Sequence, residues 1–207
     1  LNTKRESALV PEVHKILPLN PLFFNTAESL SNIIMLAAKR HQFTVILELV
    51  KNLDTPDDIQ VVKTLVLCCL TAVCAKTDTA NDVILQTISS LVDENNRENT
   101  LRLCTLEALR VKNEVVVRQL LTLNVDLVTP IDEAIAWCRS LDISVYSSVL
   151  GLGLLHIAAG WSSTVMLTTM LDIVRSQNRE IEERFWVTLY YITAMYGRED
   201  SYLAVKQ

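Results

Sequence analysis

Beyond residue 25, apolar residues recur in adjacent pairs one helical turn apart. The pairs are Val45, Ile46, Leu49 and Val50; then Val83, Ile84, Ile88, Leu91 and Val92; then Val116, Val117, Leu120 and Leu121; and last Met166, Leu167, Met170, Leu171 and Val174. Positions i, i+1, i+4 and i+5 fall on one stripe of a helix with 3.6 residues per turn, so each set predicts an amphipathic helix. Between them lie further helical stretches and polar breaks. Thr26 is a suitable N-cap for a helix through Ile33, Ile34 and Ala37, which the polar run Lys39 to Gln42 ends. Thr55-Pro56-Asp57-Asp58 has the form of an N-cap, a first-turn proline and two acids, and it opens a long apolar helix to about Lys76. Thr77-Asp78-Thr79 breaks that helix, and Asp93 to Glu98 forms a polar turn before a helix over Leu101 to Val111. Lys112-Asn113 is a turn, and Thr129-Pro130-Ile131-Asp132 a second capped start. Gly151 and Gly153 flank a turn into Leu154 to Ala159. After the charged stretch Arg175 to Glu183, a last helix carries Trp186, Tyr190, Tyr191 and Met195 and is closed by Gly197. Residues 1–25 differ: Pro11, Pro18 and Pro21 restrict them to short helical pieces, a leader that would pack Leu17, Leu19, Leu22, Phe23 and Phe24 onto the helical domain of residues 26–207.

The paired stripes share an offset. Their first members are Val45, Val83, Val116 and Met166, and eight residues before each stands an alanine: Ala37, Ala75, Ala108 and Ala158. The unit is therefore a helix, a tight turn and a second helix, repeated at intervals of 38, 33 and 50 residues. The long interval has room for a shortened helix pair, Pro130 to Ser140 and Asp142 to Leu150. Repetition near this length is the mark of a solenoid, in which one helix pair cannot bury two apolar faces and its neighbours complete the core. The fold class expected is all-α, a solenoid of stacked antiparallel helix pairs.

Several of these segments resemble the ankyrin repeat. Leu155-His156-Ile157-Ala158-Ala159 is similar to the family's Thr-Pro-Leu-His-x-Ala-Ala core. Ala37-Ala38 through Val45-Ile46, followed by Leu49-Val50, is similar to its Ala-Ala-x-x-Gly-His-x-Glu-Val-Val and Leu-Leu stretch. Leu120-Leu121-Thr122-Leu123-Asn124-Val125-Asp126-Leu127 resembles Leu-Leu-x-x-Gly-Ala-Asp-Val, with Asn124 in the left-handed glycine position, and Thr129-Pro130-Ile131 follows as Thr-Pro-Leu. The resemblance runs from about Ser29 to Val205. It implies helix pairs joined by projecting loops, a concave protein-binding face, and a structural role for His156 in hydrogen bonds within and between repeats. The chain departs from the family pattern where His41, Lys112 and Ser162 replace the turn glycine; only Gly197 keeps it. The chain is either a divergent ankyrin array or another α-solenoid with a similar pattern.

Composition narrows the function classes. Of the 207 residues, 50% are hydrophobic and 21% charged, with a formal net charge of −5, so the chain can build a core and lacks the basic field that nucleic-acid binding uses. No apolar run reaches the roughly 18 residues that span a bilayer. Four glycines leave little room for a phosphate-binding loop. The five cysteines, Cys68, Cys69, Cys74, Cys104 and Cys138, lack framework or metal-ligand spacing, which suits reduced thiols in an intracellular setting, cytoplasmic or nuclear. Cys138 is the best-placed candidate nucleophile, but nothing in the sequence sets a histidine beside it. No catalytic residue, metal site or cofactor is expected.

In an ankyrin-like register the residues after each Ala-Ala pair end the inner helix near the concave face. That selects Lys39, Arg40, Arg110, Lys112, Trp161 and Tyr196, with Met195 beside them, as the candidate binding residues. Arginine, tryptophan and tyrosine are side chains enriched in interface hot spots. The function expected is a non-enzymatic protein–protein interaction module; the alternative is a structural or assembly domain of a larger protein. A first residue other than methionine and the positive mean hydropathy favour the alternative, through self-association or packing on other domains of a parent chain.

Overall fold

A computed structural model describes residues 27–51, 53, 58–145, 148–177 and 179–206. The leader with its prolines and His14, the cap at Thr26, and Thr55 to Asp57 lie outside the described residues. Among those described the protein is all-α, with eleven helices and no strand. They are α1 (Ala27–Lys39), α2 (Phe43–Lys51), α3 (Ile59–Ala75), α4 (Asp78–Ser90), α5 (Glu94–Arg110), α6 (Glu114–Leu121), α7 (Asp132–Ser140), α8 (Leu154–Trp161), α9 (Thr164–Ser176), α10 (Glu183–Met195) and α11 (Glu199–Lys206). The chain forms two compact units, one ending at Thr100 and one beginning at Leu101.

The apolar pairs do what their spacing requires. Val45, Ile46, Leu49 and Val50 of α2, Val83, Ile84 and Ile88 of α4, all four pair residues of α6, and the five of α9 are buried. In the first unit α1 packs on α2 and α3, α2 on α4, and α3 on α4. In the second, α8 packs on α9 and α10, α9 on α11, and α10 on α11. Within each unit the first helix of one hairpin thus lies on the first of the next, and the second on the second. Helix α3 is apolar nearly all round, with Leu65, Val66, Cys68, Cys69, Ala72 and Val73 fully buried, as a helix covered by neighbours on two sides demands.

Three of the five hairpin turns are closed the same way. Backbone N–H groups of Gln42, Asn113 and Arg198 donate to the carbonyls of Ala37, Ala108 and Thr193, five residues earlier, at 2.9, 2.8 and 3.2 Å. The residue in between, His41, Lys112 or Gly197, sits at φ +53 to +61°. This is the closure in which a left-handed residue folds the last helical turn back on itself and satisfies carbonyls that would otherwise be orphaned. Only glycine adopts that conformation without a Cβ penalty, so Gly197 fits and His41 and Lys112 carry strain. Lys76 ends α3 at φ +54°, four residues after buried Ala72. Counting from Ala37, Ala72, Ala108, Ala158 and Thr193, the second helix begins six residues later in every case. The anchors are 35, 36, 50 and 35 residues apart.

That register corrects several expectations. Ala75 is not an anchor: it is the half-buried last residue of α3, and Ala72 holds the equivalent place. Asp58 caps α3, its carboxylate accepting from the N–H of Gln60 and Val61 at 2.8 and 3.2 Å. Thr77 is an N-cap, and α4 already includes Asp78 and Thr79. The polar stretch after Leu91 is helical from Glu94, because Asp93 accepts the Asn96 N–H at 2.7 Å and caps the helix. Val92 is exposed. Helix α7 has no side-chain cap, so Thr129 does not play that role. In its expected partner over Asp142 to Leu150 the described residues are not helical: Asp142 lies at φ +54°, 143–145 are irregular and 148–150 form a turn. Ser162, unlike the other glycine-replacing residues, is extended at φ −89°. Asn124 does take the left-handed position, at φ +59°.

Two substitutions test this geometry. Lys76→Gly relieves a left-handed lysine on the surface and is expected to raise stability by about 0.5–1 kcal/mol in a urea titration. Gly153→Ala drives a Cβ into the Val128 carbonyl, a backbone atom that cannot swing aside. It is expected to lower stability by about 1–3 kcal/mol.

Candidate functional site

The turns of the second unit gather a site. Arg110 ends α5, and its exposed guanidinium forks onto Glu107, Nε to Oε2 at 2.7 Å and Nη2 to Oε1 at 2.5 Å. Lys112 is exposed at the left-handed position of that turn. Trp161 is the half-buried last residue of α8. Tyr196 caps the end of α10 and is exposed, its ring lying against Gly160, where a Cβ would stand 3.1 Å from the ring edge.

Polar contacts tie these turns together. The Ser163 N–H donates to the Glu114 carboxylate at 3.2 Å, joining the start of α9 to the start of α6. The Arg198 guanidinium donates to the Ser162 carbonyl. Between them runs a groove of about 220 Å³ lined by Ala108, Leu109, Lys112, Val117, Trp161 and Arg198 among others. It adjoins a wider hollow of about 360 Å³ bounded by Arg110, Lys112, Gly160, Trp161 and Arg198. Of the charged groups here, Arg110 is paired with Glu107, Arg198 donates to the Ser162 carbonyl, Glu114 accepts from Ser163, and Lys112 is exposed. The floor is apolar, and Trp161 supplies the aromatic wall.

The sequence-based candidates are thus divided. Arg110, Lys112 and Trp161 line one hollow, with Tyr196 packed on the Gly160 that bounds it. Lys39 and Arg40 are exposed at the end of α1, in the first unit. Met195 is exposed on α10. Trp186 and Tyr190 of α10 are half-buried. Sequence reasoning missed Arg198, although its position supplies a signal: it follows the left-handed Gly197 and occupies the turn slot that Asn113 fills two hairpins earlier. Glu114 was also missed; its role depends on a contact 49 residues away, for which the sequence has no marker.

A larger cavity of about 430 Å³ opens at the other end of α8, lined by Thr129, Pro130, His156, Arg179 and Phe185 among others. Its His156 and Arg179 side chains are committed to structure, Arg179 to Asp126 and Thr129. The His156 Nδ1 accepts the Gly153 N–H at 3.2 Å, which leaves Nε2–H to donate to the Phe185 carbonyl at 2.9 Å. Both nitrogens are thereby used by the neutral ring, one contact within its own hairpin and one to the next. Burial lowers the His156 pKa below its usual value, partly offset by the Phe185 bond. Burial pushes the Asp126 carboxyl up, but the Thr129 hydroxyl, the N–H groups of Val128 and Thr129, and Arg179 at 3.4 Å together hold it below the usual range. Cys138 is buried, and desolvation raises its thiol to about 11, which opposes thiolate formation. Among the described residues no cluster of three or more histidine, cysteine or acidic side chains is placed to hold a metal, and no helix is long and apolar enough to cross a membrane.

No protein-family model matches the sequence, and neither curated proteins nor solved structures provide a match.

The His156 geometry fixes a sign for pH dependence. A histidine whose folded pKa is lowered stabilises the fold fully above its unfolded value near 6.5, and that contribution is lost as pH falls through the folded pKa. Melting temperature is therefore expected to drop below about pH 6.5, and His156→Asn to flatten that drop. His156→Ala strands the Gly153 N–H and the Phe185 carbonyl, and is expected to lower stability by about 1–3 kcal/mol in denaturant titrations at neutral pH.

Proposed function

We propose that the protein is a non-enzymatic interaction module, a divergent ankyrin-like stack of helix hairpins that captures an acidic protein segment along its turn edge. The observation that carries this reading is the groove over Ala108, Leu109 and Val117, edged by Lys112, Arg198 and Trp161, together with the adjoining hollow that Arg110 also bounds. Its residues come from three successive turns tied by the Glu114–Ser163 and Arg198–Ser162 hydrogen bonds. A site ordered before binding loses little conformational entropy on association. The cations attract a carboxylate-bearing segment, and the tryptophan offers area for one apolar side chain. The recurring six-residue offset, the stacking of first helix on first helix within each unit, and the His156 bridge to the next hairpin support the ankyrin-like reading.

The test is fluorescence anisotropy with a synthetic peptide of alternating glutamates and one central phenylalanine. Arg110→Glu combined with Lys112→Glu is expected to weaken binding at least about tenfold, or 1.4 kcal/mol, without lowering the melting temperature. Arg40→Glu, on the first unit, is expected to leave the affinity unchanged. Equal affinity of the groove variant and wild type would discard the groove as the site.

A further inference from the structure

The last hairpin exposes positions that every earlier hairpin buries. One residue after the anchor stand Ala38, Val73, Leu109 and Ala159, all at most 2% exposed, but in the last hairpin Ala194 is exposed. Nine residues after the anchor stand Ile46, Asn81, Val117 and Leu167, at most 4% exposed, whereas Tyr202 is 38% exposed. On the same helix α10, Val187 and Tyr191 are 58% and 66% exposed, one turn apart on a single stripe. The α10–α11 hairpin is itself stacked on α8–α9 through its other side. Its open side therefore continues, in register, the surface on which this fold seats a helix hairpin.

We propose that the occupant of this open side is the same hairpin of a second copy of the chain, related by a two-fold axis. Helix α11 suits self-pairing: Glu199 and Asp200 occupy its first turn and Lys206 its last, all exposed. Laid antiparallel on its equivalent, it brings each acidic first turn to the other's basic last turn, so every favourable contact occurs twice. Tyr202 and Leu203 stand between these charges, at the centre of the contact. This face is separate from the groove at the turns, so either assignment can fail without the other.

The experiment is sedimentation equilibrium on the full 207-residue chain, from low to high micromolar concentration. Wild type is expected to shift from monomer to dimer as concentration rises. Val187→Lys with Tyr191→Lys is expected to stay monomeric throughout, with unchanged helical circular dichroism and unchanged affinity for the acidic peptide. A single Tyr191→Asp variant, also helical, is expected to raise the dimer dissociation constant at least about tenfold. A wild-type chain that remains monomeric overturns the proposal, as does a lysine variant that dimerises like wild type. In the first of those outcomes, a lower melting temperature for the lysine variant assigns the face to another segment of the same chain; an unchanged one leaves it for a different protein.

Discussion

The hairpin turn is the constraint on which the rest of the structure depends. In the hairpins anchored at Ala37, Ala108 and Thr193, a small residue near the end of the first helix gives up its carbonyl to an N–H five residues on, a left-handed residue between them reverses the chain, and the second helix starts one residue later. Two consequences follow. The helices of a pair approach closely, because alanine or threonine stands where they meet. And the phase of the second helix is fixed, so its apolar pairs at eight, nine, twelve and thirteen residues past the anchor face the core in α2, α6 and α9. The strain accepted at His41, Lys76 and Lys112 is modest, about 1 kcal/mol each. It is offset by the burial that correct phasing permits.

Much of this was legible in the sequence. The paired apolar stripes reported the second helices because burial on one side imposes the 3.6-residue period, and nothing at the tertiary level overrode it at Val45, Val116 or Met166. The offset to a small residue was visible too, but its phase was ambiguous in the second hairpin. There α4 buries Ala80 and Asn81 as well as Val83 and Ile84, so two alanines fit one pattern. What decides between them is the backbone angle of Lys76, and lysine carries no sign of a left-handed conformation. Polar residues misled in the same way. Asp93 and Glu94 looked like a turn because they are hydrophilic, yet they are a cap and a first-turn acid, the residues that start a helix.

The segment between α7 and α8 shows how an irregular stretch is held between helices. Asp142 turns the chain left-handed after α7, as in the other hairpins, and the Ile143 N–H closes on the Cys138 carbonyl at 3.1 Å. Among the described residues no second helix follows, and hydrogen bonds cross the gap. The Ile131 N–H donates to the Leu152 carbonyl at 3.0 Å, the Leu155 N–H to that of Leu127 at 2.9 Å, and the buried Arg102 guanidinium to those of Thr129 and Pro130 at 2.6 Å. These pairings satisfy backbone groups that a helix would have satisfied internally, the condition for any buried irregular segment. They also bring Val128 so close to Gly153 that no side chain fits there.

The same turn explains where the chain is free to vary. Its backbone groups are consumed by closure and its anchor is buried, but the two residues after Ala-Ala or its equivalent, buried Gly160 apart, are exposed or half-buried. In the five hairpins they are Lys39 and Arg40, Cys74 and Ala75, Arg110 and Val111, Gly160 and Trp161, and Met195 and Tyr196. No shared chemistry runs through this series, whereas the anchors before it are nearly uniform. An exposed or half-buried position that recurs from hairpin to hairpin can accumulate side chains suited to a ligand at little cost in stability. In the second unit, Arg110, Trp161 and Tyr196 occupy such positions, with Lys112 and Arg198 next to them in the turn. The scaffold and the candidate groove are therefore two outcomes of one backbone geometry, which dictates the anchor and releases its neighbours.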